Sequence, residues 1–259
     1  MSDAKMDTSL IDEAILRVFR GGPDGGGKPV DYQVPVAPGM VVLDALHSIQ
    51  NHQSPDLAVR WNCKAGKCGS CSAEVNGHPR LTCKTRLDSL PLDQPITVSP
   101  LKAFPLIKDL VTDVSWNYKI NKKIPAFQPR AGVEWKMYQR DVDRVQEFRK
   151  CIECFLCQDV CHVLRDHGKH PSFGGPRFFV RTACLEMHPL DGVSRSKLLK
   201  DELGLGLCNI TKCCTEVCPE EIHITDNAII PLKERIVDEF YDPVLMLIRK
   251  IRGAKQELR

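Results

Sequence analysis

The chain has 259 residues, enough for two ordinary domains but short for a large enzyme with a substrate cleft of its own. With 27% charged and 42% hydrophobic residues it reads as globular, and a formal net charge of +3 is too small to argue for a nucleic-acid partner. No run approaches the roughly 18–20 apolar residues of a membrane span, and the start, MSDAKMDTSL, lacks the apolar core of an export signal, so the expectation is a chain kept in the cytoplasm.

The first hundred residues read as short strands joined by turns. Ala14–Arg20 alternates and ends at the glycine-rich turn GGPDGGGKP, after which Asp31–Val36 can pair back as a hairpin partner. Val41–Gln50 has helical spacing through Val42, Leu43, Leu46 and Ile49. Ser72–Val75, the Asn76-Gly77 turn and Arg80–Cys83 make a second hairpin, and Pro95–Val98 adds a last strand. This order fits a mixed sheet gripping one helix. Beyond Pro100 the pattern turns helical: Leu106–Val114 repeats apolar residues three and four apart, Ser115–Pro129 is a polar connection, and Asp141–Cys151, Arg195–Leu203 and Asn227–Phe240 read as helices. The expected division is a first domain over 1–104 and a second over 105–259.

Thirteen cysteines fall in two groups, Cys63–Cys83 and Cys151–Cys218. In a reducing compartment close cysteine spacing reads as metal ligation rather than a disulfide framework, and neighbours such as Cys151, Cys154 and Cys157 are poorly placed to pair. Cys63-x4-Cys68-x2-Cys71 followed by Cys83 is the plant-type spacing for a 2Fe–2S centre. The loop CKAGKCGSC puts Gly66 and Gly69 between the ligands, where a backbone free of Cβ can wrap a cluster and aim N–H groups at sulfur. A four-cysteine zinc site is the other reading of such a set. Arg60 and Trp61, just before the loop, read as surface charge and packing.

Cys151-x2-Cys154-x2-Cys157-x3-Cys161 is the bacterial ferredoxin run, in which the fourth cysteine ligates the other of two clusters. Its partner is Cys208-x2-Thr211-x2-Cys214-x3-Cys218-Pro219, in the same register but with threonine in the second position. The cross-over rule then gives Cys151, Cys154, Cys157 and Cys218 to a 4Fe–4S cluster. It leaves Cys161, Cys208 and Cys214 for a site one ligand short, which suits a 3Fe–4S cluster. Zinc ribbons are the alternative for these runs too. Cys184 and Cys213 remain over: Cys184 reads as a small buried residue, and Cys213 adjoins Cys214 but stands at an x4 offset from Cys208 that breaks the register.

There is no GxGxxG fingerprint, no P-loop and no nucleophile constellation, so no residue reads as catalytic. One-electron centres without a donor cofactor on the chain make a wire, and its donor belongs to another subunit. After Asp242-Pro243 the segment VLMLIRKIRGAKQELR is apolar over Val244–Ile248 and then basic at Arg249, Lys250, Arg252, Lys255 and Arg259. It fits a helix lying on a lipid surface or a membrane partner, and equally a terminal helix packed on its own domain.

VLDAL at Val42–Leu46, the CKAGKCGSC loop, HPRLTC at His78–Cys83, PLIKDLVTD at Pro105–Asp113 and both cysteine runs resemble the iron–sulfur subunit of succinate dehydrogenase and fumarate reductase (respiratory complex II). The resemblance implies an α+β chain: an N-terminal β-grasp 2Fe–2S domain, then an all-α two-cluster ferredoxin-like domain. It implies a flavoprotein partner whose FAD takes electrons from succinate, and membrane-anchor subunits that bind quinone. Electrons would pass from FAD through the 2Fe–2S, 4Fe–4S and 3Fe–4S clusters to quinone, or in the reverse direction in a fumarate reductase. The implied place is the cytoplasmic face of the plasma membrane, peripherally. The sequence departs from the family's quinone contacts: the proline and tryptophan expected after the fourth cysteine of the first run are absent after Cys161, and Asn209 stands where a histidine often does. His162, His167 and His170 are candidates to replace them, since histidine can bond a quinone oxygen and deliver a proton.

Overall fold

Alternation decides the first strand: Ala14, Leu16 and Val18 are buried while Glu13, Ile15 and Arg17 face out, so β1 (Glu13–Gly21) turns one face to a core. In the computed structural model, which describes residues 13–24 and 26–251, β2 (Gly27–Pro35) pairs with it antiparallel from Glu13↔Pro35 to Gly21↔Gly27. Helix α1 (Val42–His52) buries Val42, Leu43, Leu46 and Ile49, and the Asp44 carboxylate accepts the Val41 N–H at its start. β3 (Ser72–Val75) and β4 (His78–Leu81) form the second hairpin, with Asn76 and Gly77 both at positive φ in the turn. β5 (Ile96–Ser99) lies parallel to β1 and antiparallel to β3, giving the order β2-β1-β5-β3-β4. Leu16, Val18, Val34, Val75, Ile96 and Val98 meet α1 in one core, the β-grasp arrangement.

The chain divides into two units, residues up to Asp113 with Ile152–Leu156, and Val114–Cys151 with the residues from Cys157 onward. The expected 104/105 division falls just before a hairpin, β6 (Leu106–Lys108) and β7 (Val111–Thr112), that belongs to the first unit. A helix over Leu106–Val114 is therefore not what forms. Asp109 turns the chain at φ 50°, and its buried carboxylate accepts the N–H groups of Gly21 (3.0 Å) and Ala58 (2.9 Å) and pairs with Arg20 (3.1 Å). Those partners are distant in sequence, and they outweigh the local apolar repeat.

The second unit is helical: α2 (Ser115–Lys123), α3 (Gln139–Arg149), α4 (Leu156–Asp159, its first residue in the other unit), α5 (His162–Arg165), α6 (Pro176–Glu186), α7 (Ser196–Asp201), α8 (Cys213–Glu216), α9 (Ile230–Phe240) and α10 (Pro243–Ile251). The polar connection expected over Ser115–Pro129 opens with α2, which buries Asn117 and Ile120. A π-helical stretch, Ile224–Ile229, leads into α9 and packs against α6. The start of the chain through Asp12 and the basic residues Arg252, Lys255 and Arg259 lie outside the described residues.

Candidate metal centres

The loop between α1 and β3 carries Cys63, Cys68 and Cys71, and Cys83 follows β4. Its backbone turns inward on sulfur: the N–H groups of Ala65 and Lys67 each lie 3.3 Å from Cys63 Sγ, and that of Cys63 lies 3.5 Å from Cys68 Sγ. Burial raises the Cys68 thiol, but hydrogen bonds from Ser70 and Cys63 outweigh it and bring the group down to about 6. Burial pushes Cys83 up to about 11, helped by the hydrogen bond and charge of Cys71 and by the charge of Cys63. All four cysteines thus share one neighbourhood, in a nest of N–H groups suited to an anionic, sulfur-rich centre. Beside it Trp61 is half exposed, edge-on to His47 (4.8 Å) and under the Lys64 ammonium (4.8 Å).

Gly69 makes this loop fit what lies over it. It sits at φ +68°, and a Cβ there would stand 2.6 Å from Cys154 Cα. The Ser72 hydroxyl closes the contact, 2.8 Å from the Gly69 carbonyl and 2.9 Å from that of Cys154. Gly77 has a similar φ of +76° with nothing within 4 Å of such a Cβ. Both alanine substitutions carry about 1–2 kcal/mol of left-handed strain, but only Gly69→Ala also drives a methyl into backbone. Gly77→Ala is expected to keep the full visible absorption of the first centre, and Gly69→Ala to lose much of it. Equal absorption in the two variants would count against the close approach.

In the second unit Cys161 precedes α5 and Cys214 lies in α8, both buried, with Cys208 half-buried. Burial pushes Cys161 up to about 11, opposed by the N–H groups of Leu164 and Val163 and helped by the charges of Cys213 and Cys208. Cys214 rises to about 12, by burial first, against a hydrogen bond with Thr225 and with added charge from Cys213, Cys208 and Cys161. Cys161, Cys208 and Cys214 therefore share a second neighbourhood, and Cys213 lies in it too. Cys218 is raised by burial, is approached by the Ile222 N–H at 3.4 Å, and feels the charge of Cys151. Cys151 and Cys157 belong to this unit, and Cys154 to the first. Among the described residues no three His, Cys, Asp or Glu side chains gather where a single ion could be held. The donors are thiols met by backbone N–H groups, the chemistry that iron–sulfur clusters require.

Two family matches coincide with these neighbourhoods: the 2Fe-2S iron-sulfur cluster binding domain over residues 15–119 and the 4Fe-4S dicluster domain over 147–222. The fumarate reductase iron–sulfur subunit of Mycobacterium tuberculosis is 30% identical over 82% of this chain and 89% of its own length. The chain belongs to the iron–sulfur subunits of the succinate dehydrogenase and fumarate reductase family. A chain of the Mycobacterium smegmatis Sdh1 complex in its apo form is 59% identical, with a TM-score of 0.86, over 90% of this chain and 98% of that one. An uncharacterised iron–sulfur protein of Methanococcus maripaludis is 33% identical over 82% of this chain, which spans only 42% of that protein's length. As an iron–sulfur subunit of this family, the chain is α+β, with a 2Fe–2S cluster domain followed by a 4Fe–4S dicluster domain.

Among the described residues no helix of this iron–sulfur subunit is long and apolar enough to cross a membrane. The rings of His162 and His167 meet edge-on at 6.0 Å after Cys161, and His170 lies edge-on to Trp116 at 4.8 Å. Sequence reasoning missed Ser70, Ser72 and Thr225, whose hydroxyls brace the cysteines or their loops. The serines inside CKAGKCGSCS were the available signal; nothing local marks Thr225.

Proposed function

We propose that the chain carries electrons in a succinate:quinone oxidoreductase at the cytoplasmic face of the membrane. It binds there to an FAD-containing flavoprotein subunit that oxidises succinate and to membrane-anchor subunits that bind quinone. The likeness that carries this reading is the one to the Sdh1 complex, 59% identical over 98% of the compared chain. The two cluster domains are drawn at 1–104 and 105–259. Cys63, Cys68, Cys71 and Cys83 hold a 2Fe–2S cluster, Cys151, Cys154, Cys157 and Cys218 a 4Fe–4S cluster, and Cys161, Cys208 and Cys214 a 3Fe–4S cluster. When bound, these clusters supply one-electron stations between a two-electron flavin and quinone.

The chain's own residues provide thiolate ligands, N–H groups that stabilise charge on sulfur, and burial of Cys71, Cys83, Cys157, Cys161 and Cys214 that keeps water away. No residue of the chain is assigned to substrate chemistry. Iron, acid-labile sulfide and EPR on the purified complex test the reading. Signals of three cluster types are expected, and zinc in place of iron overturns it. The reverse direction, suggested by the Mycobacterium tuberculosis relative's name, is decided by comparing succinate–quinone with quinol–fumarate rates.

Helix α10 presents Val244, Met246 and Leu247, each at least half exposed, and serves as the docking element for the membrane partner. Ending the chain after Asp242 is expected to leave the clusters intact and release the subunit from membranes. Retention with full quinone reductase activity would remove this role.

A further inference from the structure

We infer that Cys213 is a fourth thiolate held in reserve at the third centre, where it captures a ferrous ion and turns a three-iron cluster into a four-iron one. The inference rests on the three-iron reading above. Aligning the two runs puts Thr211 opposite Cys154, where a ligand belongs, and a hydroxyl that keeps its proton is a poor partner for iron beside thiolates. The structure sets a sulfur beside that position: Cys213 Sγ lies 3.3 Å from Thr211 Oγ1. The loop is built to bring it there. Ile210 (φ 62°) and Lys212 (φ 64°) are both left-handed, so the backbone coils tightly round Thr211 and delivers Cys213 back to it.

Both flanks of Cys213 are fixed. Lys212 Nζ pairs with Asp226 at 2.8 Å, and Cys214 lies 3.6 Å from Thr225, whose N–H and hydroxyl each meet the Thr215 hydroxyl at 3.1 Å. One change of the Cys213 χ1 would swing its sulfur by a few ångströms without moving the backbone. Cys213 is half-buried, so packing does not account for it as it would for a core cysteine.

The step balances when the cluster is in its one-electron-reduced state. A reduced three-iron core carries no net charge, and one ferrous ion brings it to the four-iron core of charge two-plus. The Cys213 thiol gives its proton to solvent and its sulfur to the new iron. No further electron is required.

The test uses the complete complex. It is reduced anaerobically with dithionite, exposed to ferrous ⁵⁷Fe, freed of excess iron and examined by Mössbauer spectroscopy and, in the oxidised state before and after loading, by EPR. One labelled iron per chain is expected, with loss of the three-iron signal, while Cys213→Ser keeps the signal and takes up no label. A readout without substitution is alkylation by iodoacetamide. Cys213 is expected to be labelled before loading and protected afterwards, to the level of Cys208. A three-iron signal that persists with no uptake overturns the inference and leaves the three-iron reading standing. So does equal uptake by Cys213→Ser, or unchanged alkylation of Cys213. Absence of the signal from the unmodified, oxidised complex overturns the three-iron reading itself, and the inference with it.

Discussion

On the proposed ligand assignment, replacing Cys218 by serine is expected to abolish the EPR signal of the four-iron cluster proposed for the first run, while Cys161→Ser abolishes that of the three-iron cluster proposed for the second. Each substitution thus strikes the centre named for the other run. The ferredoxin pattern makes the fourth cysteine of each run a ligand of its neighbour's cluster, and the cysteines near Cys218 and Cys161 support that proposal. Cys218 feels Cys151, and Cys161 feels Cys208. A serine hydroxyl occupies nearly the same space but keeps its proton near neutral pH, so the lost thiolate is not replaced. The effect on the named signal is close to all-or-none, with a smaller loss at the other cluster because the runs share one fold. Low-temperature EPR of the oxidised and reduced variants reads both at once. Variants that each bleached only the cluster of their own run would overturn the assignment.

The two cluster domains were legible because cluster chemistry fixes cysteine spacing to the residue, and that constraint is local. The β-grasp strands were legible for a similar reason, since Ala14, Leu16 and Val18 alternate inward with nothing to obscure the period. The misread elements owe their form to distant partners. Leu106, Leu110 and Val114 imitate a helix, while Gly21, Ala58 and Arg20, far back in the chain, hold Asp109 in a hairpin. Helix α2 buries little beyond Asn117 and Ile120, too few positions to show a stripe. Helix α6 fails the other way, because residues as different as Arg177, Phe178, Phe179, Thr182 and Glu186 are all buried and no polar face remains to reveal the period. That Ile152–Leu156 belongs with the first unit could not be read at all. It depends on a glycine at position 69 and a serine at 72 meeting Cys154 in space.

Arg195→Met is expected to destabilise the second unit by about 3–5 kcal/mol, because it strands carboxylates that have no water to turn to. Arg195 is buried, with four of its five guanidinium N–H groups donating. Nε donates to Pro125 O, Nη1 to Val193 O, and Nη2 to Ala126 O and Asp191 Oδ2, each at 2.9 Å, while Glu186 Oε1 lies 3.8 Å from Nη1 and accepts the Arg195 backbone N–H. The buried Glu186 carboxyl titrates above its ordinary value of 4.5, since burial outweighs the Arg195 N–H and the charges of Arg235 and Arg195. A raised acid contributes stability that is complete below 4.5 and is lost as pH climbs through its folded value. Glu186→Gln should therefore be milder than Arg195→Met and flatten the dependence of stability on pH above 4.5. The consequence reaches the third centre through α9. Arg235 donates to the Glu186 carbonyl and to Oε2 at 3.0 Å, and on the same helix Lys233 donates to the Cys208 carbonyl at 2.6 Å. Heating Arg195→Met should accordingly bleach the three-iron signal well before the 2Fe–2S absorption. Parallel loss of the two would mean that the ion network does not brace Cys208.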